Sequence, residues 1–370
     1  MRMTTFTGVA LISLAAVTPW AAPRLAAAAP RLDRRNLLEY RNHDGVVLPV
    51  RSVRDWKLRR EEILRGAQAV MGPLPGTEKR VSLDVRIEAE KDFGDYVRRF
   101  ITYAAEPGSR VPAFLFIPKD ALGGATRRPG VLCLMGSGGY RLEDSTDTTM
   151  PANSHDGENL ARRGLVAIAP AYPILGFGRL SGVAQDYKPD LRQLGYQSGT
   201  MKAVWDNMRA LDLLASLPFV KESGFGAIGG SLGGHNSIYT AVFDERIKVI
   251  VSNCGFDSFL DYVPANWQRG KGWSQELYMP KIMDYPRAEI PFDFHELVGA
   301  LAPRAFFANS PSRDANFNWR SVDRVIAAAA QIYQLHGVPG LLTVTHPDLP
   351  HSYMPPEIQQ VVYDWIERFL

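Results

Sequence analysis

Residues 225–234 read FGAIGGSLGG: a short apolar stretch, then Gly229-Gly230-Ser231-Leu232-Gly233, then a run of helical character. The apolar stretch 225–228 predicts a buried strand and 233–243 predicts a helix. G-x-S-x-G therefore falls on a strand–turn–helix junction, the setting of a nucleophile elbow. A serine held on so sharp a turn leaves no room for side chains two positions away on either side. Glycine at 229 and 233 removes those collisions and lets the hydroxyl project above the sheet. The alternative is a glycine-rich turn that merely packs a helix against a strand.

Outward from this junction the chain alternates strand and helix. The apolar run 131–135 (VLCLM) has the unbroken character of a parallel strand buried on both faces. A helix at 158–163 and a strand at 165–169 follow, then a helix at 201–214 with Met201, Val204, Trp205, Met208, Leu211 and Leu214 on one face. Beyond the elbow come a strand at 247–252, a strand at 304–308, a helix at 322–335, a strand at 341–344 and a last helix at 357–370 with 3.6-residue periodicity. Before it lie a helix at 54–71, stopped by Gly72-Pro73, and strand-like runs at 81–87 (VSLDVRI), 96–104 and 111–117. Antiparallel strands first and βα units afterwards predict an α/β layered fold with a mostly parallel sheet. No internal repeat or linker divides the chain, so residues 30–370 read as one domain, with an aromatic-rich insertion at 256–294.

The composition narrows the function. Of 370 residues, 46% are hydrophobic and 22% charged, and 42 Lys+Arg against 39 Asp+Glu give a formal net charge of +3. No basic run or stripe accompanies that balance, which argues against nucleic acid as a partner. The N-terminus has the layout of a secretory signal peptide: Arg2, an apolar run at 8–17 and the small-residue tract 26–29. Residues 1–29 are therefore read as a leader, and the mature chain as secreted or periplasmic, with no segment inserting in a membrane. Two cysteines, Cys133 and Cys254, are too few for a disulfide framework. Both fall in strand runs, where they are expected to behave as small apolar residues. Asp186, Asp190, Asp206, Asp212 and His155 show no metal-ligand spacing, and neither a metal nor another cofactor is expected.

A serine nucleophile needs a base and a group that orients the base. With an elbow of this kind the chain order is serine, acid, histidine. His351, in the loop PDLPHSY between the last strand and the last helix, is the candidate base; His346, before Pro347, ranks second. His235 sits beside the elbow and reads as a packing residue. Asp314, in NSPSRDANF after the strand at 304–308, is the candidate acid, with Asp257, in NCGFDSF one strand earlier, as the alternative. Donors for a developing oxyanion are expected from the backbone N–H of Leu232, at a helix N-terminus, and from Gly136 and Ser137 in the glycine-rich loop 135–140.

The elbow, the late aspartate and the final histidine together resemble the α/β-hydrolase superfamily. More narrowly, GGSLGGHNSIYTAVFDERIKVIVSNCGF, PFDFHELVGALAPRAFFANS and PDLPHSY are similar to the dienelactone-hydrolase-like and acetyl-xylan-esterase-like group of exported bacterial esterases, and HELVGALAPR is also similar to glucuronoyl esterases. The resemblance implies an α/β-hydrolase fold with Ser231 as nucleophile, His351 as base and Asp314 as acid, and a substrate that is a small-molecule or polysaccharide ester. Three positions depart from these relatives. Met135 stands where an oxyanion-loop histidine is common, Gly230 where the elbow often carries histidine, and Leu232 with Gly234-His235 where glucuronoyl esterases place arginine and then lysine. The implied activity is a serine carboxylic-ester hydrolase working through an acyl-enzyme on short-chain acyl esters. Glucuronoyl, aryl or polyester esters are the alternatives among enzymes, and a non-catalytic binding protein of the same fold the alternative outside them. The aromatics of 256–294 read as flat faces for a substrate ring or as a small core of their own. No sequence feature sets an oligomeric state.

Overall fold

Ahead of the main sheet, a hairpin of β1 (Glu39–Arg41) and β2 (Val47–Pro49) leads into helix α1 (Val53–Met71). Ser52 caps α1 by accepting from the Asp55 N–H, and Gly72, at φ +96°, ends it. The helix buries Trp56, Ile63, Ala67, Val70 and Met71, the stripe its periodicity predicts. The computed structural model describes residues 31–123, 126–137, 155–175, 187–264, 267–269 and 275–370. The leader read at 1–29, residues 138–140 of the glycine-rich loop, Asp186 and Trp273 lie outside the described residues.

Nine strands form one sheet in the order β11-β10-β9-β8-β6-β7-β5-β4-β3. β3 (Arg86–Asp92), β4 (Tyr96–Glu106) and β5 (Ser109–Pro118) pair antiparallel, and β5 pairs antiparallel with β7 (Val166–Pro170). β6 (Arg128–Leu134), β7, β8 (Val220–Gly230), β9 (Ile247–Asn253), β10 (Ala305–Asn309) and β11 (Leu342–Thr345) are parallel. β7 and β10 are buried at every position, and β6 and β8 over the residues nearest their ends, so both faces of the centre are covered. After the short α2 (Lys119–Leu122), α3 (Asp156–Arg162) packs with the last helix, through Asn159 with Gln359 and Arg163 with Gln360. α4 (Gly199–Ser216) and α5 (Leu232–Phe243) lie side by side, Asn207 donating to Thr240. Further along the chain come α6 (Gln275–Tyr278), α7 (Phe294–Gly299), α8 (Trp319–Leu335) and α9 (Pro356–Phe369), the last helix.

One strand is shifted from where its apolar pattern predicts. Of the run 81–87 only Arg86 and Ile87 are in a strand; residues 81–85 form none, with Asp84 at φ +39°. β3 starts at Arg86 and is exposed along its whole length. It is held to β4 by backbone pairing and not by a buried face, which hydrophobic periodicity does not register.

The chain runs from β6 to β7 on one side and then crosses to β8 on the other. The strand order thus reverses beside β6, and at such a point in an α/β sheet connections that leave in opposite directions leave room for a crevice at the carboxyl end. The elbow and residues 135–137 leave from the ends of β8 and β6.

Candidate active site

Ser231 joins β8 to α5 with φ +53° and ψ −119°, a conformation that side-chain-bearing residues seldom adopt. Its N–H donates to the Asn253 carbonyl (2.9 Å), and its carbonyl accepts from the His235 N–H (3.2 Å), the first turn of α5. The glycines have a steric reason. A Cβ on Gly229 would meet the Gly233 carbonyl carbon at 2.4 Å, and one on Gly233 would meet the Leu134 oxygen at 1.9 Å. The end of β6 is thus pressed against the elbow, with the Leu134 and Met135 carbonyls against Gly233. As the first residue of α5, Leu232 has an N–H with no partner within the helix.

The structure brings Ser231, His351 and Asp314 together. His351 Nε2 lies 3.1 Å from Ser231 Oγ, and Nδ1 lies 2.8 Å from Asp314 Oδ2. The other carboxylate oxygen of Asp314 accepts the N–H groups of Asn316 (2.7 Å) and Phe317 (3.1 Å), which fixes the plane of the carboxylate. The loops bearing Asp314 and His351 extend the β10–β11 pairing. Ser310 N–H donates to the Thr345 carbonyl, Ser312 to Pro347 and Arg313 to Leu349, while the Arg313 guanidinium holds Asp348 at 2.9 Å. Burial disfavours a charged His351 ring, but the hydrogen bond to Asp314, aided by Cys254, outweighs it and lifts the imidazole to about 10.

The remaining candidates are placed elsewhere. Asp257 makes no hydrogen bond to His351 among the described residues; it accepts from the Asn318 N–H at 2.9 Å. Burial, together with nearby Asp261, Asp293 and Asp314, pushes its carboxyl well above the usual range despite that hydrogen bond. His346 binds the Ser310 carbonyl (2.9 Å) and Asp323 (2.8 Å) and so ties the loop that carries His351 to α8. His235 is buried under the elbow with Nε2 2.6 Å from the Tyr262 hydroxyl, and burial drives its pKa down to about 3. Tyr262 itself accepts from Gln275, so its proton goes to Nε2 and His235 is neutral.

The aromatics of 256–294 are mostly spent on packing. Phe256, Phe259, Tyr262, Phe292 and Phe294 are buried, with Phe259 edge-on to Phe292 and Phe256 stacked on Phe294. Cys254 corrects its strand-interior reading. β9 ends at Asn253, and Cys254 turns the chain at φ +41°, with its thiol 3.6 Å from Ser352 Oγ and beside His351. Cys254 lies two residues beyond the run 247–252, after polar Ser252 and Asn253, and a positive φ leaves no mark in sequence periodicity.

Residues 190–337 match the model of a family described as glucuronyl esterase, fungi. Over 165 residues the chain is 27% identical to "Putative hydrolase YtaP" of Bacillus subtilis (strain 168); the match covers 44% of this chain and 52% of that protein, so the chain spans about half the length of this curated relative. Among solved structures, a glucuronoyl esterase from Solibacter usitatus superposes with a TM-score of 0.68 at 18% identity, covering 92% of this chain and 99% of that one. A protein titled "putative acetyl xylan esterase" from Bacteroides fragilis NCTC 9343 gives 0.60 at 18% identity, covering 91% and 98%. These likenesses are of fold, and the fold is that of the α/β hydrolases.

Proposed function

We propose that this α/β-hydrolase-fold protein is an exported serine carboxylic-ester hydrolase. The observation that carries the reading is the continuous hydrogen-bonded line Ser231–His351–Asp314, at 3.1 and 2.8 Å, on a strained elbow. Ser231 Oγ attacks the ester carbonyl while His351 Nε2 takes its proton. Asp314 accepts the Nδ1–H, so the ring presents the tautomer whose Nε2 lone pair faces the serine. The Leu232 N–H, with Gly136 or Ser137 across the crevice, receives the negative charge that develops on the carbonyl oxygen. His351 then returns the proton to the leaving alcohol, and water deacylates the enzyme by the same path in reverse.

The substrate we assign is a short-chain acyl ester, such as an acetylated polysaccharide. Phe256, Phe259, Tyr262, Phe292 and Phe294 are buried and pack on one another, which leaves their faces to the core and not to a long acyl chain. The family model matched by residues 190–337 favours a second reading, an ester of a uronic acid. The buried, neutral His235 offers no cation for such a carboxylate. A fluorophosphonate probe followed by peptide mass spectrometry tests the enzyme reading, which requires a single adduct on Ser231; a folded chain that takes up no label is a binding protein.

A further inference from the structure

Cys254 has no part in the mechanism above, yet it stands against the base. Its N–H donates to the Asn309 carbonyl (2.7 Å) and its backbone lies at φ +41°, which brings Sγ off the end of β9 toward Ser352. Sγ, a ring nitrogen of His351 and a carboxylate oxygen of Asp314 all lie within 4.8 Å of one another. Thiolate, imidazole and carboxylate form a donor set suited to zinc, and three protein ligands with one open position are the usual complement of an accessible zinc centre. Metal–ligand bonds of about 2.0–2.3 Å hold tetrahedral donors roughly 3.3–3.8 Å apart. The cluster reaches that size if the 2.8 Å contact of His351 with Asp314 opens slightly and the thiol moves in. The His351 side chain is 21% exposed and gives a cation an edge from which to enter.

We infer that Cys254, Asp314 and His351 bind a soft divalent cation of the zinc type, and that its binding shuts off hydrolysis. In the working site Nδ1–H donates to Asp314 and the Nε2 lone pair faces Ser231. A cation on the Nδ1 lone pair obliges the neutral ring to carry its one proton on Nε2. That nitrogen then donates to Ser231 Oγ and has no lone pair left to take the serine proton. The thiol releases its proton to solvent, and no electron is transferred. The effect on turnover rests on the triad proposed above; the binding of the cation does not.

Cobalt(II) titration of the chelator-treated full chain tests the site without any variant. Thiolate ligation produces an intense near-ultraviolet sulfur-to-cobalt band. Ser231→Ala should give the same band, since the serine is no ligand, and Cys254→Ala should abolish it. The zinc concentration that halves hydrolysis should rise at least about 100-fold in Cys254→Ala or Cys254→Ser. Cobalt uptake without the sulfur band, or equal zinc inhibition of wild type and folded Cys254 variants, overturns the inference. Should neither Cys254 variant fold, the wild-type cobalt spectrum decides alone. A sulfur band from a chain that hydrolyses no ester would uphold the metal site and refute the triad.

Discussion

The carbonyl oxygen of Leu134 occupies the space that a Cβ on Gly233 would need, 1.9 Å from that carbon's position. Leu134 is the last residue of β6, paired with Gly229 of β8, so its carbonyl is fixed by the sheet and cannot give way. This contact sets the elbow against the end of β6, with the Met135 carbonyl beside it.

Gly233→Ala should therefore disturb fold and site together. Overpacking against rigid backbone costs about 1–3 kcal/mol, and here also displaces the turn that presents Ser231. Urea unfolding and kcat/KM on a short ester should both fall. A variant with unchanged midpoint and activity would show that the elbow is not braced in this way.

The two aspartates separate cleanly. Asp314→Asn should lower kcat by roughly 10⁴-fold, because the amide no longer stabilises the imidazolium or its useful tautomer. Asp257→Asn should leave kcat within a few-fold of wild type. It should also hold or raise the melting temperature at neutral pH. Burial raises the folded carboxyl well above the usual range, so the native chain retains a proton that the unfolded chain has lost above about pH 4, and stability falls as pH rises. Asparagine still accepts from the Asn318 N–H and bears no such penalty. A crippled Asp257→Asn beside an active Asp314→Asn reverses the assignment.

The pH profile follows from His351. In the proposed mechanism only the neutral ring accepts the serine proton, and the Asp314 bond, against burial, lifts the ring to about 10. The rate kcat/KM should rise toward alkaline pH, with its inflection above the ordinary histidine value of about 6.5. Cys254→Ala should move that inflection down, since the thiol adds to the upward shift. The pairing also stabilises the fold below the ordinary histidine pKa, and that contribution is lost as pH rises through the folded value. An inflection at or below the ordinary value contradicts the role given to Asp314.

Acyl preference reports on the crevice. With Phe256, Phe259, Phe292 and Phe294 buried, kcat/KM should fall steeply from acetyl to octanoyl esters of one alcohol. An apolar slot would instead gain about 0.8 kcal/mol per buried methylene. A preference peaking at octanoyl or longer would discard the short-acyl reading and leave the triad standing.

Much of this site is legible in the sequence, because its parts announce themselves locally. Ser231 has glycines on both sides at a strand–helix junction, and Asp314 and His351 lie in polar loops after apolar strand runs. The choice between Asp314 and Asp257 is not legible. Both follow strands, and it takes the folded loops to show that Asp314 meets the ring while Asp257 is turned to the Asn318 N–H. Cys254 escapes for a related reason: its position depends on where β9 ends and on a positive φ, and neither leaves a mark in composition. The exposed strand β3 escapes because it buries no face.

The central claim is that Ser231 carries the acyl group. Initial rates on p-nitrophenyl acetate, for wild type and Ser231→Ala matched in melting temperature, test it most directly. Loss of essentially all turnover in the folded variant is the expected result; turnover retained near the wild-type rate would contradict it.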